Sequence, residues 1–136
     1  VNGRNPIVAH EYLGESVEDK TVFIADDIIA SGESMLEVAS NLKARGAKRI
    51  IADATFPLFT SGLDKFDKAV EEGTLDYVVG TNLTYRKPEL LNRDWYVDVD
   101  VSKYAAYFIV ALNHDMSVSS IIDPIKKIEA LLASRK

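Results

Sequence analysis

Two adjacent carboxylates and a short loop of small residues are the part of this sequence best suited to chemistry. Asp26 and Asp27 follow an apolar run, and Ser31-Gly32-Glu33-Ser34 comes shortly after them. Carboxylates accept hydrogen bonds from sugar hydroxyls and attract Mg²⁺. Glycine lets backbone N–H groups come close to an anion, and serine hydroxyls donate to it. The combination predicts a site for a phosphorylated sugar, with Mg²⁺ carried by the substrate and no metal held by the protein alone.

These residues need a strand and a helix to position them. The apolar run 22–25 predicts a buried parallel strand with the two acids at its carboxyl end, and apolar residues at helical spacing after Ser34 predict a helix. Ligands of open α/β sheets bind at that edge, where the first N–H groups of the helix point at an anion. Thr81 and Asn82 follow a later predicted strand and are expected at the same edge as candidates for ligand contact.

Strand and helix patterns alternate along the rest of the chain. This alternation predicts an α/β fold, a parallel sheet flanked by helices on both faces. The predicted elements are strands over 7–13, 21–25, 50–55, 77–81 and 96–99, helices over about 33–45, 61–73 and 102–113, a loop over 82–93, and a last helix capped by Asp123-Pro124. We expect Gly46 to end the first helix as its C′ residue and Ser102 to be the N-cap of the third.

Composition limits the class of protein. At 136 residues and 47% hydrophobic content, the chain is expected to form a single domain or part of one. A net charge of −5 argues against a nucleic-acid surface. There is no cysteine, and no apolar run is long enough to span a bilayer. We therefore expect a cytoplasmic protein without nucleic-acid or membrane partners. Because the chain starts at Val1 without a methionine, we interpret it as the carboxyl-terminal piece of something longer.

The stretch 22–34 resembles the PRPP-binding motif of the type I phosphoribosyltransferase fold. That motif runs hydrophobic strand, two acids, two aliphatic residues, a small residue, Ser or Thr, Gly, any residue, and Ser or Thr, and every position is filled here. The segments 5–14, 77–82 and 117–123 also resemble the carboxyl-terminal half of the ribose-phosphate pyrophosphokinase (PRPP synthase) family. The resemblance therefore runs in order over most of the chain.

The resemblance to PRPP synthases implies a substrate and a set of contacts. Ribose 5-phosphate would bind with Asp26 and Asp27 on its ribose hydroxyls. ATP would be the second substrate, PRPP and AMP the products, and Mg²⁺ the cofactor that bridges substrate and ATP. The 5-phosphate would lie in a loop formed by Ala30, Ser31, Gly32, Glu33 and Ser34.

The resemblance also marks what is missing and what departs from the family. The ATP-binding segments and most of a basic mobile loop would lie before Val1, with Arg4 as that loop's last residue and a candidate catalytic group. Ala30 stands where the synthases often have an acid, and Phe56 where they often have histidine. These two departures put full activity in doubt, while phosphate binding through backbone amides should be kept.

The end of the chain predicts an interface. Segment 117–136 carries an apolar stripe too large for a free tail, and we expect it to pack on a missing amino-terminal domain or on another subunit of a homo-oligomer. The stripe consists of Ile121, Ile122, Ile125, Ile128, Leu131 and Leu132.

The same patterns also occur in other classes of protein. A nucleobase phosphoribosyltransferase would share the motif but consume PRPP, and a non-catalytic regulatory subunit would keep the fold for assembly. A receiver domain is disfavoured because Asp53 lies inside its strand, and an NTPase because the sequence has no GxxxxGK[ST] loop. Asp98 and Asp100 alternate with valines, which is typical of ordinary solvent-facing strand residues.

Overall fold

The computed structural model describes residues 14–134. Contacts divide the chain into two compact units, Val1–Val99 and Asp100–Lys136. In the first unit, four strands form one parallel sheet in the order β1-β2-β3-β4. The predicted α/β class with a parallel sheet is thus confirmed. The strands are β1 (Thr21–Ile29), β2 (Arg49–Pro57), β3 (Tyr77–Thr81) and β4 (Tyr96–Val99).

Three helices connect these strands: α1 (Glu33–Ala44), α2 (Asp64–Glu71) and α3 (Pro88–Leu91). The strands are parallel and in consecutive order, and because connections of this kind are almost always right-handed, we expect the three helices on one face of the sheet. That helices also cover the opposite face stays a prediction. The core forms between the strands and these helices, and its buried residues include Ile50, Ala52, Ala54, Val78, Met35, Ala39, Leu42 and Phe66.

Helix α1 ends as its sequence predicts. Gly46 follows the C-cap with a left-handed φ of 87°. Its N–H donates to the Lys43 carbonyl at 3.0 Å, and the Ala47 N–H donates to the Leu42 carbonyl at 3.2 Å. These two bonds are the Schellman arrangement, which satisfies carbonyls that the end of a helix leaves unpaired.

Strand β1 is longer than predicted. The sequence places its end before the two acids, whereas β1 continues through them to Ile29. The reason is that the ladder with β2 goes on past the acids: Asp26 aligns with Ala54, and Ile28 aligns with Phe56. The prediction that the acids mark the end of the strand is therefore wrong by a few residues.

The burial predicted for β1 is also wrong. Ile29 is its one residue in the fully buried class, and Phe23 is 58% exposed. Val22 and Ile24 are partly buried and pack against the core, whereas Phe23 and Ala25, which alternate with them, are exposed. The exposure therefore falls on one face of the strand, and an apolar sequence by itself does not reveal it.

The connection after β3 and the start of α2 differ from prediction as well. The stretch 82–93, predicted as a loop, contains α3, which begins with Pro88 in the first turn and buries Leu90. Proline is favoured there because its missing N–H would have no helical partner. Helix α2 begins at Asp64, a few residues after the predicted start at Ser61.

The second unit contains α4 (Ser102–Asn113), α5 (Ser119–Ile122) and α6 (Ile125–Ala133). Ser102 is the first residue of α4 and not its N-cap, because the carboxylate of Asp100 accepts the Ser102 N–H at 2.8 Å. Asp123 caps α6 as predicted, accepting the Ile125 N–H at 3.0 Å. No helix within 14–134 is long and apolar enough to cross a membrane.

Two sequence predictions concern residues outside the described part of the chain. They are the strand over 7–13 and the catalytic role of Arg4.

Candidate functional site

The loop between β1 and α1 is built around Gly32. This residue is the N-cap of α1 and has a left-handed backbone, with φ of 78° and ψ of −1°. A Cβ atom on Gly32 would overlap the ring atoms Cε2 and Cζ of Phe66. The position therefore requires glycine for two reasons, its backbone conformation and the space beside it.

The backbone amides around this glycine are the candidate anion-binding groups of the loop. The Glu33 N–H donates to Ser31 Oγ at 3.4 Å, and the Leu36 N–H donates to the Gly32 carbonyl at 3.0 Å. The N–H groups of Ser34 and Met35 belong to the first turn, so α1 itself provides no acceptor for them. Amides of this kind, together with the helix dipole, attract phosphate.

The two acids have different surroundings although they are neighbours. Both are exposed. The N–H of Asp27 donates to Asp26 Oδ1 at 2.8 Å, and Asp27 is the one residue between Thr21 and Ile29 with no aligned partner in β2. One carboxylate oxygen of Asp26 therefore already accepts a hydrogen bond from the backbone of Asp27. Asp27 is consequently the acid whose carboxylate is better placed to accept hydrogen bonds from a ligand.

The candidates on β3 lie farther from the acids. Strand β3 is separated from β1 by β2, which corresponds to about 10 Å. Thr81 Oγ1 donates to the Thr55 carbonyl at 2.6 Å and accepts the Leu83 N–H at 3.2 Å. The Asn82 N–H donates to the Val99 carbonyl at 3.1 Å. Thr81 thus fastens the ends of β2 and β3 together, and ligand contact by Thr81 or Asn82 stays a prediction.

The carboxylates of Asp26 and Asp27 fit a magnesium ion that is held mainly by the substrate. Within the described residues, no group of three or more His, Cys, Asp or Glu side chains could hold a metal. Mg²⁺ is commonly bound by one or two carboxylates together with substrate phosphates and water. Asp26 and Asp27 can provide those carboxylates.

Sequence reasoning missed that the loop before α2 forms a second wall of the site. The N–H groups of Leu58 and Phe59 donate to the Ile29 carbonyl at 2.9 and 3.1 Å, and the Thr60 N–H donates to the Ala30 carbonyl at 2.9 Å. Phe59 itself has a positive φ of 46°, a conformation that is strained for a bulky residue. These contacts join residues about thirty positions apart, so no local sequence pattern indicates them.

Two side chains of α2 also reach the loop. Phe66 is fully buried beside Gly32, and the Lys65 Nζ atom lies 2.6 Å from Glu33 Oε1. The sequence analysis predicts a helix over 61–73 and names neither Phe66 nor Lys65 as a residue of the candidate site.

A second missed feature lies between the segment after β3 and β4. Arg86 Nη1 is 3.2 Å from Asp98 Oδ1, and their side chains are 21% and 33% exposed. Asp98 is an exposed residue of β4, as the sequence predicts, and its ion pair with Arg86 is the feature that the sequence does not indicate. Burial and the Asp98 carboxylate raise the pKa of Tyr96 to about 12, although the Arg86 guanidinium opposes this shift. Tyr96 thus remains neutral over the physiological range.

Comparison with known proteins agrees with this geometry. A family model described as the phosphoribosyl transferase domain matches residues 2–84, more than half of the chain. The chain belongs to this family. It is also 34% identical over 111 residues to the ribose-phosphate pyrophosphokinase of Thermotoga maritima, covering 80% of this chain and 32% of that protein. The enzyme of the same name from Shewanella oneidensis is 28% identical over 105 residues, covering 77% of this chain and 32% of that protein.

The chain is also similar to a second kind of enzyme and to a solved structure. The orotate phosphoribosyltransferase of Oceanobacillus iheyensis is 39% identical over 64 residues, covering 47% of this chain and 30% of that protein. The crystal structure of phosphoribosylpyrophosphate synthetase from Mycobacterium smegmatis has the same fold, with a TM-score of 0.64 at 22% identity over 75% of this chain and 33% of that chain. The chain spans about a third of the length of these relatives.

Proposed function

We propose that this chain is the ribose 5-phosphate-binding part of a ribose-phosphate diphosphokinase, which makes PRPP and AMP from ATP and ribose 5-phosphate. The observation that carries the proposal is the extent of the likeness. Relatives named ribose-phosphate pyrophosphokinase align with 80% and 77% of the chain, whereas the orotate phosphoribosyltransferase aligns with 47%. The longer alignment continues well beyond the segment that all users of the motif share.

The proposed substrate contacts follow from the chemistry of the loop and the acids. Asp27, supported by Asp26, accepts hydrogen bonds from the ribose hydroxyls. The 5-phosphate binds in the loop Ala30, Ser31, Gly32, Glu33 and Ser34, where backbone N–H groups and serine hydroxyls donate to its oxygens. A helix terminus contributes only about 0.3–2 kcal/mol, so charge-assisted hydrogen bonds supply most of the affinity.

The proposed reaction is a single diphosphoryl transfer. The 1-hydroxyl oxygen of ribose 5-phosphate attacks the β-phosphorus of ATP, and an oxygen–phosphorus bond forms as the bond from that phosphorus to the α,β-bridging oxygen breaks. AMP leaves with the bridging oxygen, and the hydroxyl proton is released. The residues of this chain hold the sugar in position for attack. Asp26 and Asp27 would hold Mg²⁺ through the substrate that carries it, and the ion would supply positive charge for the transferring phosphates.

Residues beyond this chain are required by the proposal. Because the chain spans about a third of its relatives, ATP binding is assigned to segments that these 136 residues do not include. Arg4 is proposed as a catalytic residue that meets the triphosphate. Segment 117–136 is proposed to pack on another domain or subunit, in a cytoplasmic homo-oligomer without nucleic-acid or membrane partners.

The experiment that tests the proposal is an assay of the complete protein. It is incubated with ATP, Mg²⁺ and ribose 5-phosphate, and AMP is measured by chromatography. AMP formation that depends on ribose 5-phosphate is the expected result, and PRPP should form in equal amount. An Asp27→Asn variant should form much less of both. Absence of AMP from a folded protein that is supplied with all three components would contradict the proposal.

A nucleobase phosphoribosyltransferase is the second candidate, favoured by the 39% identity to orotate phosphoribosyltransferase. Such an enzyme would bind PRPP at the same loop and release pyrophosphate when a base attacks the sugar. Supplying PRPP and a set of nucleobases therefore separates the candidates. Pyrophosphate release without ATP-dependent AMP formation would favour the transferase. A protein that binds ribose 5-phosphate but has neither activity would be a regulatory subunit.

A further inference from the structure

The phosphate loop has no cation of its own. Its residues 30–34 contain no lysine or arginine, and the whole chain carries a net charge of −5. A sugar phosphate that is doubly charged near neutral pH would therefore meet amides, hydroxyls and the carboxylate of Glu33. A cation from elsewhere in the fold is needed if the phosphate charge is to be balanced by a side chain.

The first turn of α2 lies against this loop at independent points. The Thr60 N–H, just before that helix, donates to the Ala30 carbonyl at 2.9 Å. The Phe66 ring occupies the space beside Gly32. The Lys65 Nζ atom lies 2.6 Å from Glu33 Oε1, and Glu33 is the first residue of α1. Lys65 therefore places an ammonium group at the edge of the loop whose amides would receive the phosphate.

The backbone that carries Lys65 is firmly held. Phe66 is fully buried, with its ring 4.8 Å from the ring of Phe59 in an edge-to-face contact and 5.9 Å from that of Trp95 in a stacked one. The next residue, Asp67, accepts a two-pronged ion pair from Arg93. The side chain of Lys65 is by contrast 52% exposed, so it can turn without moving the helix.

We propose that Lys65 is a phosphate-binding residue of this loop, which Glu33 holds in the absence of substrate and which contacts the 5-phosphate when substrate binds. The inference rests on the proposed function, because it names a further residue of the same site. Lysine suits this role because its flexible side chain ends in a compact charge with three donors. Two anions, the Glu33 carboxylate and the substrate phosphate, then compete for one ammonium group.

The pair Lys68 and Glu72 offers a matched control. Lys68 lies in the same helix, and Glu72 is the residue that caps its carboxyl end. The Lys68 Nζ atom is 3.6 Å from Glu72 Oε1, and the Lys68 side chain is 73% exposed. Loss of Lys68 removes the same charge from the same element, so it changes the net charge in the same way. Only loss of Lys65 removes a cation from the edge of the loop.

The test is calorimetric titration of ribose 5-phosphate and of inorganic phosphate into the complete protein and its variants. Lys65→Met should weaken binding of both ligands by about 5- to 30-fold at low salt, and the loss should shrink as ionic strength rises. Lys65→Arg should restore most of the affinity. Lys68→Met should change both affinities by less than about twofold. Glu33→Gln should tighten both ligands, because the competing carboxylate has gone.

The outcomes separate this inference from the proposed function. If the parent protein binds ribose 5-phosphate and Lys65→Met binds it equally well, or loses no more than Lys68→Met, Lys65 is not a phosphate-binding residue and the proposed function stands. Weaker phosphate binding by Glu33→Gln would also overturn the inference. If the folded parent binds neither ligand, the proposed function fails and this inference fails with it. Equal melting temperatures of the two methionine variants exclude a general loss of structure.

Discussion

At the scale of single residues, Gly32 and Asp27 divide the candidate site into two kinds of chemistry. Gly32 combines a positive φ of 78° with close packing against the Phe66 ring, so it shapes the amides that are proposed to bind the phosphate. Asp27, which has no aligned partner in the β1–β2 ladder, adds a carboxylate acceptor. Substitutions at these two positions should therefore have different effects on phosphate and on sugar phosphate.

Replacing Gly32 with valine should abolish binding of both free phosphate and ribose 5-phosphate. The side chain would need a disfavoured φ and would displace Phe66 from the loop. Calorimetric titration of both ligands measures the loss. Because the variant could also unfold, its circular dichroism spectrum is the control, and Gly32→Ala provides a milder version that already adds the overlapping Cβ atom. Undiminished phosphate binding by a folded Gly32→Ala variant would show that the phosphate lies elsewhere.

Replacing Asp27 with asparagine should separate the two ligands. The amides and hydroxyls of the loop stay intact, so free phosphate should bind no worse, and slightly better because a negative charge has gone. Ribose 5-phosphate should lose about 1.5–3 kcal/mol of binding free energy because its hydroxyls or its metal lose a charged acceptor. The same titrations measure both changes. Equal losses of phosphate affinity in Asp27→Asn and Gly32→Val would contradict the assignment of the phosphate to the Gly32 loop and of the ribose to Asp27.

Asp53 gives a prediction about pH. It lies within β2 between Ala25 and Val79 of the neighbouring strands, and burial raises its pKa above 3.8. Its folded state therefore holds the proton more tightly than its unfolded state, and stability is lost as pH rises through the folded pKa. We expect Asp53→Asn to be more stable than the parent at pH 7, with an advantage that vanishes near pH 3.8 and below. Thermal unfolding of both proteins across this range checks it, and a difference independent of pH would contradict it.

At the scale of elements, α2 contacts both the proposed phosphate loop, through Lys65 and Phe66, and the segment before β4. One of its residues, Asp67, accepts hydrogen bonds from Arg93 Nε and Nη2 at 2.9 Å each and from Trp95 Nε1 at 2.7 Å. These bonds fasten α2 to the segment that enters β4. Because Phe66 is the neighbouring residue, the same bonds help to keep its ring beside Gly32.

Replacing Asp67 with alanine should lower the free energy of unfolding by about 1–3 kcal/mol. The variant leaves a guanidinium group and an indole N–H without their acceptor in partly buried positions. Chemical denaturation measures the change. Glu72→Ala on the same helix removes only an exposed ion pair and should cost less than about 1 kcal/mol. Similar costs for both variants would show that the three hydrogen bonds contribute little.

Helix α6 carries the apolar stripe that the sequence indicates. Its residues Ile125, Ile128, Leu131 and Leu132 are exposed, as is Ile122 before it. We expect this surface to be covered by another domain or subunit, because burial of such side chains stabilises an interface by about 25 cal/mol per Å². Deleting residues from Pro124 onward should therefore lower the assembly size or the melting temperature of the complete protein. Light scattering and calorimetry measure these, and no change in either would count against the interface.

At the scale of the whole molecule, the chain is a family domain that spans about a third of its relatives. It contains the residues proposed to bind ribose 5-phosphate and lacks any GxxxxGK[ST] loop or other recognisable ATP site. Sugar binding and diphosphoryl transfer should therefore be separable properties.

We expect these 136 residues alone to make no PRPP. The physical reason is that the attacking hydroxyl and the β-phosphorus must be held together, and the sequence of this chain contains no recognisable ATP site. An AMP assay of the isolated chain with ATP, Mg²⁺ and ribose 5-phosphate measures this, with the complete protein as the positive control. AMP release in proportion to ribose 5-phosphate would refute it.

The sequence by itself determined the local features of this protein. Alternating apolar and helical patterns were enough to predict the parallel α/β class, and Gly46 and Asp123 were correctly assigned to helix ends. These features depend on interactions within a few residues. The motif from Asp26 to Ser34 likewise indicated the family, which the match over residues 2–84 shows. Its assignment as a binding site stays a prediction.

The tertiary structure decided which distant residues meet, and this could not be read from the chain. The acids lie inside β1 because β2 extends the ladder past them, and Asp98 is paired because Arg86 reaches it from the preceding segment. Phe66 and Lys65 adjoin a loop thirty residues earlier because the crossover packs α2 against it. Contacts of this kind depend on the packing of whole elements, and a lysine beside the loop has the same local sequence pattern as one that faces only water.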